Sequence, residues 1–445
     1  MGKDKVSGTI TTSMISEFKK AFLKDPSNKM ALNAVTRGNL SEIALNRDVL
    51  NQIDFCFSNE VETADVTDQK KSGTCWLFAI LNWFRFYTQN KMNVKQFEFS
   101  QNQVMFWDKF EKANFFLEKM IELRTKDIDD RHLRFLLSNP ASDGGEWHML
   151  VNIANKYGLM PKSVMPDTFN RENTRYLNEL LYYMLRQTAA EIRQAHNKGT
   201  SIEKLRKIKL NALEDVYRLL AIFLGIPPDT FSWSYRDKDK KFVRETNITP
   251  KEFVDKYVGL NLDEIFCLLS CPSPRTPFNK TYVIDYFDNM VDGVSYRWLN
   301  LPVKDLKQIA IKMLKKEQPV LFGNDVVQQC HTKEGVLFKD VYEFESIFKF
   351  KFNMDKATRV DFGQTQMTHS MVLTGVDIVN NKPVKWKVEN SWGSEVGKKG
   401  YFIMSDEWFD ENVFDLVVPK EYLSKKQLEL LKQDPIVLPP WFPMA

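Results

Sequence analysis

The residue types that carry much of enzyme chemistry are scarce in this chain: there are five histidines and five cysteines in 445 residues. The cysteines, at positions 56, 75, 267, 271 and 330, form an odd and scattered set. Cys267 and Cys271 flank only Leu268, Leu269 and Ser270 and have no second pair, so neither a disulfide framework nor a zinc site is indicated. Glycine-rich phosphate loops are missing, as are histidine and carboxylate clusters at metal spacing, and no cofactor or metal is expected. No stretch is apolar for long enough to span a bilayer, and Met1-Gly2-Lys3-Asp4-Lys5-Val6 leads into no apolar segment of the secretory kind. Neither export nor membrane insertion is expected. Charge of one sign is lacking too, since 62 Lys and Arg against 58 Asp and Glu leave +4. No basic stripe concentrates that small excess, so nucleic acid is not an expected partner.

What the chain has in quantity is apolar residues, 43% of the total, enough for large cores in about three domain-sized units. From Trp76 to Phe86 they crowd most of a helix circumference, which describes a helix buried in a large domain. Ser72-Gly73 supplies a turn, and Cys75 falls in the first helical turn, where unpaired N–H groups and the helix dipole favour a negative group. That position is expected to lower the thiol pKa towards reactive thiolate. A free cysteine is more often a small buried hydrophobe. Two features set Cys75 apart: Gln69 just upstream, able to aim an amide at an oxyanion beside the Cys75 N–H, and a histidine and an asparagine far downstream in strand-like settings.

Of the histidines at 132, 148, 196, 331 and 369, only His369 opens such a strand, Thr368-His369-Ser370-Met371-Val372-Leu373-Thr374-Gly375-Val376, which holds an imidazole on rigid scaffold. After Asn380-Asn381-Lys382-Pro383, the run Val384 to Glu389 alternates apolar and charged residues as a half-exposed strand does, and delivers Asn390-Ser391-Trp392-Gly393. Thiol catalysis needs an imidazole to take the proton and a group to fix its tautomer, roles that suit His369 and Asn390. Trp392 would shield that bond from water. Cys330-His331 carries less weight, because adjacent side chains in extended chain point apart. His148 reads as an ordinary helix residue.

Along the chain, residues up to about 60 begin with a helix bearing Met14, Phe18 and Phe22 on one face and read as a wrap around the core. Val104 to Leu123 is aromatic-rich, for core packing rather than base stacking. Asp143-Gly144-Gly145-Glu146-Trp147 punctuates the chain before a helix from Met149 to Tyr157. Between Arg171 and Gly225 two long amphipathic helices form a hairpin, the second opening on a Thr200/Glu203 capping box and stopping at Gly225, Pro227 and Pro228. A β-hairpin follows from Phe231, then a surface helix from Val303 to Lys316 and a core strand Pro319 to Gly323.

The local run Gln69-Lys70-Lys71-Ser72-Gly73-Thr74-Cys75-Trp76-Leu77-Phe78-Ala79 resembles the active-site cysteine signature of papain-like peptidases, and most closely that of the bleomycin hydrolase and aminopeptidase C branch. Met367-Thr368-His369-Ser370-Met371 and Asn390-Ser391-Trp392-Gly393 resemble its histidine and asparagine motifs. The resemblance implies an α+β fold: a papain-like core of a helical half and a β-barrel half, with a large helical insertion. In such a core the histidine lies roughly 130–150 residues after the nucleophile, so an insertion on the order of 150 residues separates Cys75 from His369. The expected division is 1–60 for the N-terminal wrap, 61–165 for the helical half, 166–345 for a mostly helical insertion, 346–432 for the β-barrel half and 433–445 for an arm into the cleft.

By the same resemblance Cys75, His369, Asn390 and Gln69 are catalytic, Gly144, Gly145 and Ala445 bind substrate, Trp76 and Trp392 support them, and no metal takes part. Secreted relatives place a disulfide cysteine where Ser72 stands, so a reducing cytoplasm is expected. The implied activity is a cysteine aminopeptidase acting on small unfolded peptides through a thioester at Cys75, assembled as a homo-oligomer, by resemblance a hexamer. The arm Ile436 to Ala445 is shorter at its tip than in relatives, which makes an oligo-endopeptidase the alternative. A nucleic-acid-binding protein is the competing class.

Overall fold

The structure is a computed structural model and describes residues 8–295 and 297–444. Its centre is the helix Cys75–Met92, in which Trp76 to Arg85 are buried without interruption. Such a helix has no face for water and must be enclosed on all sides. It ends at Asn93, whose left-handed φ of 55° asparagine tolerates better than most residues. Helices Gln101–Glu122 and Trp147–Tyr157 pack beside it, with Trp83 and Trp147 edge to face at 5.5 Å.

Outside this layer lies the helical hairpin, Arg175–Asn197 and Ile202–Leu224, which buries Leu177, Leu181, Leu185, Leu205, Val216 and Leu220 against the Gln101–Glu122 helix. Its second helix is capped by Ser201 rather than by the expected Thr200: the Ser201 hydroxyl accepts from the Lys204 N–H. Gly225 stops it with a φ of 84°. The β-hairpin Phe231–Arg236 and Phe242–Ile248 follows.

The other half is a 12-stranded sheet among the described residues. Its middle runs Ile265–Leu269, Val413–Pro419, Val320–Asn324, His369–Val379, Lys382–Glu389 and Tyr401–Ser405. Side chains alternate between its faces. Leu321, Val372 and Val417 meet the helical half, whereas Phe322, Met371 and Leu416 pack with Leu306, Ile309 and Met313 of the helix Val303–Leu314. The tight turn from the histidine strand to the asparagine strand is made by Asn380 and Asn381, both at positive φ.

The sheet does not begin at residue 346, where the expected division placed it. Strands Ile265–Leu269, Lys280–Ile284, Trp298–Asn300 and Val320–Asn324 all belong to it, so the segment 166–345 is a helical hairpin followed by half of the sheet. Those strands are short and strongly apolar, a pattern that does not separate them from buried helix. The N-terminal stretch also differs from a wrap. Helix Thr12–Lys24 buries no residue and leaves Ile15, Phe18 and Phe22 exposed, and the stretch reaches a core only beyond it, where Phe57 is buried in a small cluster with Leu45, Leu50, Ile53 and Phe55 packed against it.

Between the halves, Arg85 of the central helix donates to Glu389 at the end of the asparagine strand at 2.5 Å, both fully buried. Burial pushes the Glu389 carboxyl above its usual range, with the Arg85 charge pulling the other way. An isolated buried charge is far costlier than a buried pair. Arg85→Met and Glu389→Leu are therefore each expected to lower unfolding free energy by about 3–5 kcal/mol, and the double variant by less than the larger single loss. Urea denaturation of the three variants measures this.

Candidate active site

The chain segments that build the site meet at the seam between the halves. Thr67 to Gln69, leading into the Cys75 helix, run antiparallel to Ser391 to Gly393, just past the asparagine strand. The Gln69 N–H donates to the Ser391 carbonyl at 2.8 Å, the Gly393 N–H to the Thr67 carbonyl at 3.1 Å, and the Ser391 hydroxyl to Gln69 Oε1 at 2.8 Å. Gly393 has φ 79°, and a Cβ there would meet Asp68 Oδ2 at 2.7 Å, so glycine is required for the approach.

Cys75 is the first residue of its helix and is half-buried. His369 opens its strand and is buried. The two line one cavity of about 630 Å³ between the halves. His369 Nε2 lies 2.8 Å from Asn390 Oδ1, which also accepts from the Ser391 N–H at 2.7 Å. A backbone N–H can only donate, which identifies that amide atom as oxygen and makes the imidazole nitrogen facing it the donor. Nε2 therefore carries the proton and Nδ1 is left to exchange one. The Trp392 ring lies 4.8 Å from the imidazole and covers the bond.

Burial governs the charges. It pushes the Cys75 thiol above its usual pKa, against the N–H groups of Ser370, Trp76 and Cys75 itself, which favour thiolate. The helix N-terminus was expected to lower that pKa, and the net direction is the reverse, because loss of water outweighs a few backbone dipoles. Burial likewise lowers His369 to about 4, with the Asn390 bond pulling it up.

Gln69 is anchored at both ends of its amide. Nε2 donates to the Ser72 carbonyl at 2.7 Å and Oε1 takes the Ser391 hydroxyl, which leaves the second Nε2 hydrogen. Gly144 and Gly145 line the cavity beside Cys75. A Cβ on Gly145 would sit 2.6 Å from the Trp76 ring, whereas on Gly144 the nearest atom would be Ser142 Oγ at 3.9 Å. Trp76 Nε1 donates to the Asp143 carbonyl at 2.7 Å. Arm residues Pro440 to Pro443 line the same cavity and Met444 is buried, while Ala445 lies outside the described residues.

Sequence reasoning missed the parts that hold the Gly144-Gly145 segment. Lys112 donates to the carbonyls of Ser142 and Gly144 at 3.0 and 2.6 Å and pairs with Asp108. Lys109, wholly buried, pairs with Asp143 at 2.7 Å. Asp143 also accepts from the Gly73 N–H, from Thr174 and from Asn178. Burial alone would raise its pKa, but the Lys109 ammonium and these bonds hold it well below the carboxylate range. Arg171, buried, pairs with Asp167 and donates to the Gln69 carbonyl at 3.4 Å. The available signal was Lys109 and Lys112, three apart in an aromatic-rich helix, together with Asp143 directly before the glycine pair.

The sequence profile of the peptidase C1-like family matches residues 9–445. Aminopeptidase C of Lactobacillus delbrueckii subsp. lactis is 40% identical over 443 residues, covering 99% of each chain. Aminopeptidase G of the same organism is 39% identical over 440 residues, 99% of this chain and all of that one. The crystal structure of PepW from Lactobacillus rhamnosis is similar with a TM-score of 0.97 at 41% identity, over 99% of both chains.

The two glycines are expected to respond differently. Gly145→Ala forces the segment off Trp76 and should lower kcat/KM on a peptide amide by on the order of tenfold or more, whereas Gly144→Ala should stay within about threefold of the parent. Steady-state kinetics on the two purified variants decides between a required close approach and a tolerant turn.

Proposed function

The chain belongs to the peptidase C1-like family, and on that premise we propose that it is a cysteine aminopeptidase with Cys75 as nucleophile, His369 as general base and Asn390 as the group that orients the imidazole. The observation that carries this assignment is the His369–Asn390 hydrogen bond in the cavity that Cys75 lines. Each ionisation alone is opposed by burial, but passing the Cys75 proton to His369 Nδ1 creates two opposite charges side by side, which offset one another. The thiolate attacks the peptide carbonyl, and the oxyanion is held by the Cys75 N–H and the second Gln69 Nε2 hydrogen. Collapse of the adduct expels the amine, protonated by His369, and leaves a thioester at Cys75. Water, deprotonated by His369, then releases the acid.

Aminopeptidase action is supported by the names of the similar proteins, aminopeptidases C and G, and by the arm. Pro440 to Pro443 line the same cavity as Cys75, which leaves less of it open to a long peptide. The arm is held by parallel pairing of Ile436–Leu438 with Lys280–Ile284, and Trp441 stacks on the Arg131 guanidinium at 3.7 Å. Free thiols at all five cysteines, Cys56 on the surface among them, suit a reducing cytoplasm. A homo-oligomer, hexameric by family resemblance, would cover the apolar side chains of Thr12–Lys24, which are exposed among the described residues, and the exposed Phe348, Phe350 and Phe352 beside helix Pro26–Val35. Light scattering should return a multiple of the 52.1 kDa chain mass; the single-chain mass would remove the oligomer.

Cys75→Ser and His369→Ala should each abolish turnover while circular dichroism stays unchanged. The acid limb of kcat/KM is expected near pH 4 rather than near the ordinary histidine value of about 6.5, since His369 must be unprotonated to accept the Cys75 proton. Asn390→Ala removes the bond that favours the imidazolium and should move that limb to lower pH. A limb at the ordinary value would contradict the buried imidazole as base.

The exopeptidase mode is tested by comparing an aminoacyl amide bearing a free amine with an N-acetylated tripeptide amide, in the parent and after deletion of the arm from Pro439 onwards. The parent should prefer the free amine, and the deletion should raise hydrolysis of the blocked peptide. Equal rates on both in the parent would leave a peptidase without amino-terminal selection.

A further inference from the structure

His369 opens its strand, so the sheet ladder holds its backbone from one side only. On the other side residues 362–368 form neither helix nor strand, and Thr365 to Ser370 line the cavity that Cys75 lines. Loop backbone of this kind is the mobile part of a fold unless its neighbours fix it. An imidazole carried on a drifting lead-in would be misplaced by the same amount, and displacement of a reacting group by about 1 Å can cost on the order of a hundredfold in rate.

The loop is fixed from the end of the neighbouring strand Val320–Asn324, where Asn324 stands in register with His369. The Asn324 carbonyl accepts from the Thr368 N–H at 2.9 Å, and Asn324 Nδ2 donates to the His369 carbonyl at 3.1 Å. The next residue, Asp325, is buried, and its N–H is tied to the Asn412 carbonyl at 3.0 Å. Its Oδ2 accepts from the Thr365 hydroxyl at 2.6 Å and the Gln366 N–H at 3.4 Å, and its Oδ1 from the Thr368 hydroxyl at 3.4 Å. Among the described residues every hydrogen bond to that carboxyl comes from this loop, and it makes no ion pair. A buried carboxyl is costly to maintain without donors, so Asp325 and the loop hold one another in place. From the cleft side the Pro443 carbonyl takes the Met367 N–H at 3.1 Å.

We propose that Asp325 is a positioning residue for the peptidase reaction: through Thr365, Gln366 and Thr368 it sets the loop that delivers the His369 imidazole to Cys75. The proposal rests on the assignment of His369 as base and adds to it a residue that stands behind the cavity wall rather than in it. The role belongs to the shape and acceptors of the side chain more than to its charge. Asparagine can keep the pattern, with its oxygen towards Thr365 and Gln366 and its NH2 donating to the Thr368 hydroxyl, which can also accept. Alanine can keep none of it.

The test compares the parent with Asp325→Ala, Asp325→Asn and the isosteric Thr365→Val in two assays. One is kcat/KM on an aminoacyl amide with a free amine. The other is the rate at which iodoacetamide alkylates Cys75, read by mass spectrometry of the peptide that carries it. Iodoacetamide is too small to depend on the peptide subsites, but it needs the thiolate and therefore a base in reach of the thiol. Asp325→Ala should lower both rates by on the order of a hundredfold and Thr365→Val by on the order of tenfold, with circular dichroism unchanged, while Asp325→Asn stays within about threefold of the parent. Should Asp325→Ala fail to fold, Thr365→Val decides. A fall in kcat/KM with no matching fall in alkylation overturns the proposal, because the loop would then serve the substrate alone. Parental rates in Asp325→Ala and Thr365→Val overturn it as well, and leave the peptidase reading standing. A parent that cleaves no peptide, or His369→Ala alkylated as fast as the parent, overturns that reading and the positioning with it.

Discussion

The structure depends on one seam, the hydrogen-bonded pairing of Thr67 to Gln69 with Ser391 to Gly393. It joins segments more than three hundred positions apart in sequence, and it does so with main-chain bonds that any side chains could make. What makes the pairing specific is what surrounds it: Gly393, where a Cβ would strike Asp68, and the Ser391 hydroxyl closing on Gln69 Oε1. A slip of one residue would turn His369 or Asn390 to the wrong face of the sheet. The buried Arg85–Glu389 pair acts in the same sense, because a charge lined up with anything but its partner is stranded out of water.

Burial sets the chemistry as well as the register. The Cys75 thiol and the His369 imidazole are each driven towards neutrality by loss of water, so neither would be reactive as an isolated group. In the proposed mechanism reactivity belongs to the pair, through a proton passed from Cys75 to His369. Asp143 is the opposite case. Lys109, Thr174, Asn178 and the Gly73 N–H surround its carboxylate, so the same burial leaves it ionised and turns it into a fixed anchor.

The long segment between Cys75 and His369 has a structural part in the site. Thr174 and Asn178 reach Asp143, and Arg171 reaches the Gln69 carbonyl, so the start of the helical hairpin fixes both the turn before Cys75 and the glycine pair opposite it. Its later strands complete the sheet that carries His369 and Asn390. A chain without this segment would lack the neighbours that hold Gly73, Gly145 and Gln69 in place.

The sequence by itself determined which residues are proposed for the chemistry and the elements that carry them. Cys75 at the head of a mostly apolar helix, His369 opening a strand and Asn390 following another are local patterns, and local sterics and hydrophobic periodicity suffice to read them. The hairpin from Arg175 to Leu224 was legible for the same reason. Three things were decided only in the tertiary structure: the direction in which Cys75 titrates, the entry of residues 265–324 into the sheet, and the gathering of Lys109, Lys112, Asp143 and Arg171 behind the glycines. Each depends on how much water the assembled fold removes or on which distant strand lies alongside, and neither quantity is a property of a stretch of chain, because both arise only when the two halves close on one another.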